Sequence, residues 1–201
     1  VYTYNVNNLV LSQKVLFGGT DGYLYMYNMS TGALLATSNE THGSTDQTID
    51  IQMIDWTSVV SASIRTNDIK FWNVTSSSIT CYYTINDAHT NSIYALALVN
   101  NNTVRVASVG LFDKTLQIWN WNNPSAPPLL TVYLNGRIRG CVVQVSSVLV
   151  AACDESGLIL LVNITSGENV TSLTGSAFVI NNFGFRYLYH LTSEVLVAGS
   201  N

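Results

Sequence analysis

The sequence predicts an all-β chain built from repeats of one four-stranded antiparallel unit. A short phrase recurs at a period near 45 residues: YLYMYN at 23–28, IKFWN at 69–73, LQIWN at 116–120 and LILLVN at 158–163. Each copy alternates apolar and other residues and ends in a large residue followed by Asn. The large residues Tyr27, Trp72, Trp119 and Val162 are spaced by 45, 47 and 43. A fixed period in this range means stacked copies of one supersecondary unit, none of which can bury its apolar face alone. Alternation broken by turns every 8–12 residues makes that unit a β unit, and its length matches a four-stranded propeller blade.

Strands a to d of each unit follow in order. Unit 1 has a poorly defined strand a within residues 1–10, then 15–19, 23–28 and 33–38. Unit 2 has strands at 48–54, 58–64, 68–73 and 79–85. Unit 3 has 92–99, 104–109, 115–121 and 129–134, and unit 4 has 138–145, 148–153, 158–163 and 169–174. A fifth unit starts at 183–191 and 194–200 and stops after two strands. The chain thus reads as one domain, 1–201, of about four and a half blades, divided roughly at 1–38, 39–85, 86–134, 135–175 and 176–201. Asp21-Gly22, Thr31-Gly32, Asn135-Gly136, Ser156-Gly157 and Ser166-Gly167 mark turns. Pro124, Pro127 and Pro128 make one longer loop, since Pro does not sit in a central strand. No window has helical periodicity with a cap.

Composition narrows the function. Only 10% of the residues are charged, against roughly 25% in an average soluble domain. Asn, Ser and Thr (21, 21 and 20) make up nearly a third of the chain. The net charge is −4, and Lys and Arg do not cluster, so no nucleic-acid partner is expected. The longest apolar run, Ile93 to Val99, is too short to span a bilayer, so no membrane insertion is expected. No leader is visible, and the first residue is Val1, so the chain reads as a processed or trimmed segment. Cys81, Cys141 and Cys153 have neither metal spacing nor CxxC. They read as small buried apolar side chains, or, for Cys141 and Cys153, as a disulfide. A hairpin turning at Ser146-Ser147 brings that pair within about one residue of facing, so pairing depends on register.

Unit 3 carries a family resemblance. His89 precedes its strand a, Ser108 lies in strand b, and DKTLQIWN at 113–120 supplies Asp113, Thr115 and Trp119. This pattern resembles the WD-repeat β-propellers. His42, Ser61 and Trp72 in unit 2, and Asp21 in unit 1, match in part, with His42 farther from its strand a. The Asp of the Trp-Asp pair is Asn in four units (Asn28, Asn73, Asn120, Asn163), and Trp is lost in units 1 and 4. The resemblance implies that His89, Ser108, Asp113 and Trp119 form a structural hydrogen-bonded relay, which satisfies buried polar groups together. It argues against a catalytic triad, since no nucleophile elbow or oxyanion loop accompanies the set. His190, in an apolar strand, reads as a core residue. Asp46, Asp50 and Asp55 lack calcium-loop spacing and read as solvated turn and strand-edge residues.

Six N-x-[ST] acceptor motifs occur, at Asn28, Asn39, Asn73, Asn101, Asn163 and Asn169; chance at this composition gives roughly four. Position says more. Asn28, Asn73 and Asn163 end strand c in three units. In propeller topology five of the six sites fall on one face, with Asn39 on the other. Asn also suits such turns because it caps its own backbone. N-linked glycans are the favoured reading, and they fit a surface with few charges.

No metal, cofactor or catalytic set is expected from the sequence. The favoured function is a non-catalytic, secreted or cell-surface glycoprotein propeller serving as a structural and protein-interaction module. The alternatives are an intracellular WD-repeat adaptor and a carbohydrate-binding propeller. A propeller must close its ring. The missing strands come from sequence beyond this segment, from residues 1–13, or from another copy, the last giving a head-to-tail filament. A partner site is expected on the face opposite the glycans, at Phe112 with Arg65 and Arg137, among the b–c loops and the d–a loops that include His42.

Overall fold

A computed structural model describes residues 9–11, 13–101, 103–154, 158–174, 187–192 and 195–199. The chain forms two compact units, Val1–Ile93 and Tyr94–Asn201. The described residues are all-β, and they contain no helix. In the first unit, β1 (Leu9–Leu11), β2 (Lys14–Gly18), β3 (Leu24–Asn28) and β4 (Leu34–Thr37) form one sheet in that order. β5 (Thr48–Met53), β6 (Ser58–Ser63), β7 (Ile69–Val74) and β8 (Ile79–Ile85) form the next. In the second unit, β9 (Ile93–Asn101), β10 (Thr103–Gly110), β11 (Thr115–Asn120) and β12 (Leu130–Tyr133) make one sheet. β13 (Ile138–Gln144), β14 (Leu149–Asp154), β15 (Leu158–Asn163) and β16 (Asn169–Thr174) make another, and β17 (Tyr187–Thr192) pairs with β18 (Val195–Gly199). The first strand differs from the expectation, occupying Leu9–Leu11 rather than lying within 1–10.

The period in the sequence is a period in register. The large residue of each third strand pairs with a Val of the second: Val15 with Tyr27, Val59 with Trp72, Val106 with Trp119 and Val150 with Val162. In three sheets a bulge between strands c and d falls next to that residue, at Met26/Tyr27, Phe71/Trp72 and Leu161/Val162. A bulge adds one residue and sharpens twist. The b–c turns also repeat. Gly22, Asn67 and Lys114 each stand five residues before their large residue, and each has a left-handed backbone, with φ of 79°, 59° and 56°. The conformation suits Gly, is tolerated by Asn, and is uncommon for Lys.

Each unit has its own core between two sheets. In the first, Leu16, Leu24 and Met26 meet Ile51, Val59, Trp72, Val74 and Ile79. Trp72 is fully buried, at 0% exposure. In the second, Val99, Val109, Leu116 and Ile118 meet Ile138, Val150, Leu160 and Val162. Burying one such side chain fully contributes roughly 1.5–3 kcal/mol relative to leaving it exposed. Sheets stacked on a shared apolar layer explain why neither sheet's alternation could be satisfied alone.

Candidate functional site

The chemistry-bearing side chains gather in three places: inside the sheets, at the c–d turns, and at the b–c loop of the third sheet. Inside the second sheet, Ser61 lies two residues beyond Val59 and so sits diagonally across from Trp72 on the same face. The Trp72 indole Nε1 donates to Ser61 Oγ at 2.8 Å, and His42 Nε2 lies 2.7 Å from the same oxygen. The third sheet repeats the geometry. Ser108 lies two beyond Val106, and Trp119 Nε1 donates to Ser108 Oγ at 2.8 Å. Asp113 Oδ1 accepts the Thr115 backbone N–H at 3.2 Å. His89, buried, belongs to the first unit, whereas Ser108, Asp113 and Trp119 belong to the second.

His42, expected on a partner surface, is instead buried at 3% exposure. An indole N–H can only donate. Ser61 Oγ therefore accepts from Trp72, and the direction of its bond with His42 Nε2 follows the ring tautomer. His42 Nδ1 has no hydrogen-bond partner among the described residues. Burial, then the nearby Lys70 charge, push the His42 pKa down to about 3 against a small opposing effect of Asp46. Lys70 is itself buried and held by Glu40 Oε2 at 3.1 Å and Thr84 Oγ1 at 2.9 Å.

Asp46 and Asp50 correct another expectation: both are buried, not solvated. Thr66 stands where Asp21 and Asp113 stand in their repeats, six residues before the large residue. The carboxylate comes from Asp46, which accepts the backbone N–H groups of Arg65 at 3.0 Å and Thr66 at 2.7 Å. Burial alone would raise its pKa. The Thr66 and Gln47 N–H groups, then the hydroxyls of Thr66 and Ser63, outweigh burial and hold it below the usual range. Asp55 is exposed, as expected, and caps its own turn. His190 pairs with Leu196 in register, and its side chain lies outside the described residues.

At the c–d turns, Asn28 and Asn163 do the same work. Asn28 Oδ1 accepts the N–H groups of Ser30 and Thr31 at 2.8 and 3.0 Å, and Asn163 Oδ1 accepts those of Thr165 and Ser166 at 2.8 and 3.2 Å. Gly32 and Gly167 close both turns with φ of 70° and 77°. Asn120 Oδ1 similarly accepts from Asn122 N at 3.1 Å. Asn73 differs. It is exposed, and its amide makes no hydrogen bond among the described residues. Its turn is closed by Thr75 Oγ1, which accepts from Ser77 N and Ser78 N. Asn39 is exposed, with Oδ1 accepting from Cys81 N at 2.8 Å. The side chains of Asn101 and Asn169 lie outside the described residues.

Phe112 is 48% exposed, and the Arg137 guanidinium lies 4.6 Å from its ring centroid. Lys114 Nζ donates to Asn135 O at 3.2 Å in the same loop group. Arg65 is exposed on the first unit. Cys141 and Cys153 are direct partners in the β13–β14 register, and Cys153 is disulfide-bonded. Cys81 is a free, half-buried thiol whose pKa burial raises. Sequence reading missed Trp56, the exposed tip of the β5–β6 hairpin; its lone place outside any alternating run was the only signal. Among the described residues no group of three His, Cys, Asp or Glu side chains could hold a metal ion, and no helix is long and apolar enough to cross a membrane.

No protein-family model matches the sequence, and no curated protein matches it. In fold, the chain is similar to the crystal structure of the computationally designed Ika8 protein, with a TM-score of 0.72 at 20% identity over 96% of this chain and 54% of that one. The chain therefore spans about half the length of that protein. At this identity the likeness concerns the fold alone.

Buried His42 makes stability depend on pH with a definite sign. Its folded pKa of about 3 lies below its unfolded value of 6.5, so the unfolded chain binds the proton first. The stability contributed by the neutral ring is complete above pH 6.5 and is lost as pH falls from there toward 3. Urea unfolding should show a loss of about 2–3 kcal/mol between pH 6.5 and 4.5 from this group. In His42→Gln that part of the slope should vanish. An unchanged slope would mean that His42 stays accessible to protons in the folded protein.

Proposed function

We propose that the chain is a segment of a non-catalytic, N-glycosylated β-propeller of WD-repeat type, secreted or displayed at the cell surface, serving as a structural and protein-interaction module. The observation that carries this reading is a division of labour in the acceptor motifs. At Asn28 and Asn163 the turn uses the Asn, while the Ser30 and Thr165 hydroxyls make no hydrogen bond among the described residues. At Asn73 the turn uses the Thr75 hydroxyl and not the Asn. Turn chemistry alone requires one half of the motif each time, yet all three repeats keep both halves. Attachment of a sugar needs both. The bonded state of Cys153 fits the same oxidising compartment. In propeller topology these Asn residues share one face, which leaves the other for a partner.

The competing reading, an intracellular WD-repeat adaptor, is favoured by Asn120. It closes its turn in the same way outside any acceptor motif. Glycopeptide mapping of native material separates the two. Sugars are expected at Asn28, Asn73 and Asn163, and three unmodified sites would remove the extracellular assignment.

The partner surface is proposed at Phe112 and Arg137, an aromatic–cation pair of the kind enriched in interface hot spots. Its occupant is a protein partner or another copy of the chain. Phe112→Ser should weaken that association at least tenfold with an unchanged circular dichroism spectrum. Undiminished assembly by sedimentation would exclude this loop as the contact.

A further inference from the structure

We propose that Trp56 is the platform on which the sugar carried by Asn73 packs. The proposal rests on the glycosylated reading above and adds an intramolecular partner for that sugar. Ser58 and Asn73 are partners in the β6–β7 register. The flanking bond from Val74 N to Thr57 O, at 2.7 Å, makes them a non-hydrogen-bonded pair. In such a pair the Cα atoms approach to about 4.5 Å and the side chains share one face. Two residues before Ser58 stands Trp56, 73% exposed and without a hydrogen bond or ring contact among the described residues.

The hairpin holds Trp56 in place. Ile54 N and Asp55 N both donate to Ser58 O, at 2.8 and 3.2 Å. Asp55 Oδ1 accepts the Thr57 N–H at 2.7 Å and the Thr57 hydroxyl at 3.0 Å. The residue between Asp55 and Thr57 is thereby fixed at the apex of a closed turn. Nothing in the hairpin requires Trp there. The bond from Val74 N to Thr57 O recurs as Met29 N to Gln13 O and Ile164 N to Val148 O, at 2.7 and 2.9 Å. The residue before Val148 is Ser147, exposed and small. Trp occupies the position in the repeat whose Asn amide is not spent on closing its own turn.

An exposed indole at the apex of the turn that leads into the Ser58–Asn73 pair suits a pyranose. The polarised C–H face of the first N-acetylglucosamine packs on the electron-rich face of the ring, and the hydroxyls stay in water. The sugar would cover apolar area that otherwise faces solvent.

The test uses the whole chain from a secretory eukaryotic host, with Asn73 occupancy mapped first. Thermal unfolding is then compared for the wild type, Asn73→Gln, Trp56→Ala and the double variant. Both side chains are exposed, so each variant should fold. Asn73→Gln should lower Tm by about 2–4 °C when Trp56 is present and cause no comparable change when it is absent. Trimming the glycan to its first sugar should preserve the shift. Additive losses in occupied protein would overturn the platform while leaving glycosylation standing. The same coupling in unglycosylated protein would also overturn it, because no sugar is present there. Unoccupied Asn73 would overturn the platform alone if Asn28 or Asn163 carries a sugar, and would take the glycosylated reading with it if all three are bare.

Discussion

The rest of the architecture depends on how strands b and c of each sheet are joined beneath the large residue. In the second and third sheets the join is a buried indole N–H on a serine hydroxyl, diagonal across the strands, at 2.8 Å in both. A buried N–H left without an acceptor costs about 1–3 kcal/mol. The Ser and the Trp are thus bound to each other as choices. The first and fourth sheets show the corollary. Phe17 holds the serine position opposite Tyr27, and the two rings meet edge to face at 6.0 Å. Ala152 holds it opposite Val162, inside the apolar core. Both members of the polar pair have changed together, and no orphaned group remains in these two sheets among the described residues. Replacing both partners is nearly neutral where replacing one is not.

The same economy of partners explains a surface with few charges. Turn closure falls to Asn and Thr side chains, and the Asp46 carboxylate is taken inward to cap a loop. The ion pair of Lys70 with Glu40 serves a buried lysine and not the solvated surface. Little on the outside keeps the chain soluble by charge. Sugars on the turns would supply that role, and this is the physical link between composition and the proposed compartment.

The repeat was legible in the sequence because period-2 alternation and a 45-residue period are both one-dimensional signals. β8, β15 and β16 occupy the residues that alternation assigned them. Register was not legible in the same way. That Cys141 faces Cys153 is set by the β13–β14 turn, where Val145 N and Ser146 N both donate to Leu149 O, and a pattern of apolar residues does not encode that closure. His42 fits the repeat only loosely by spacing, and its loop position alone points to the surface, whereas it lies buried against Ser61. Its loop is longer than the pattern allows, and burial is a property of the folded loop. Asp46 differs for a related reason: a carboxylate in a polar loop looks solvated until its donors, here the Arg65 and Thr66 N–H groups, are brought to it from residues 19 and 20 positions away. Trp56 gave no signal through periodicity because it belongs to a turn.

The central claim is that indole and hydroxyl act as one unit. A double-mutant cycle on Ser61→Ala and Trp72→Phe, read by urea unfolding at neutral pH, addresses it most directly. Ser61→Ala strands the indole N–H, and Trp72→Phe removes that N–H while keeping an aromatic ring. The double variant is expected to be little worse than the more damaging single one, with a coupling of about 1 kcal/mol or more. Additive losses would contradict the account, and the repeating Trp–Ser pair would then be a consequence of the register and not what fixes it.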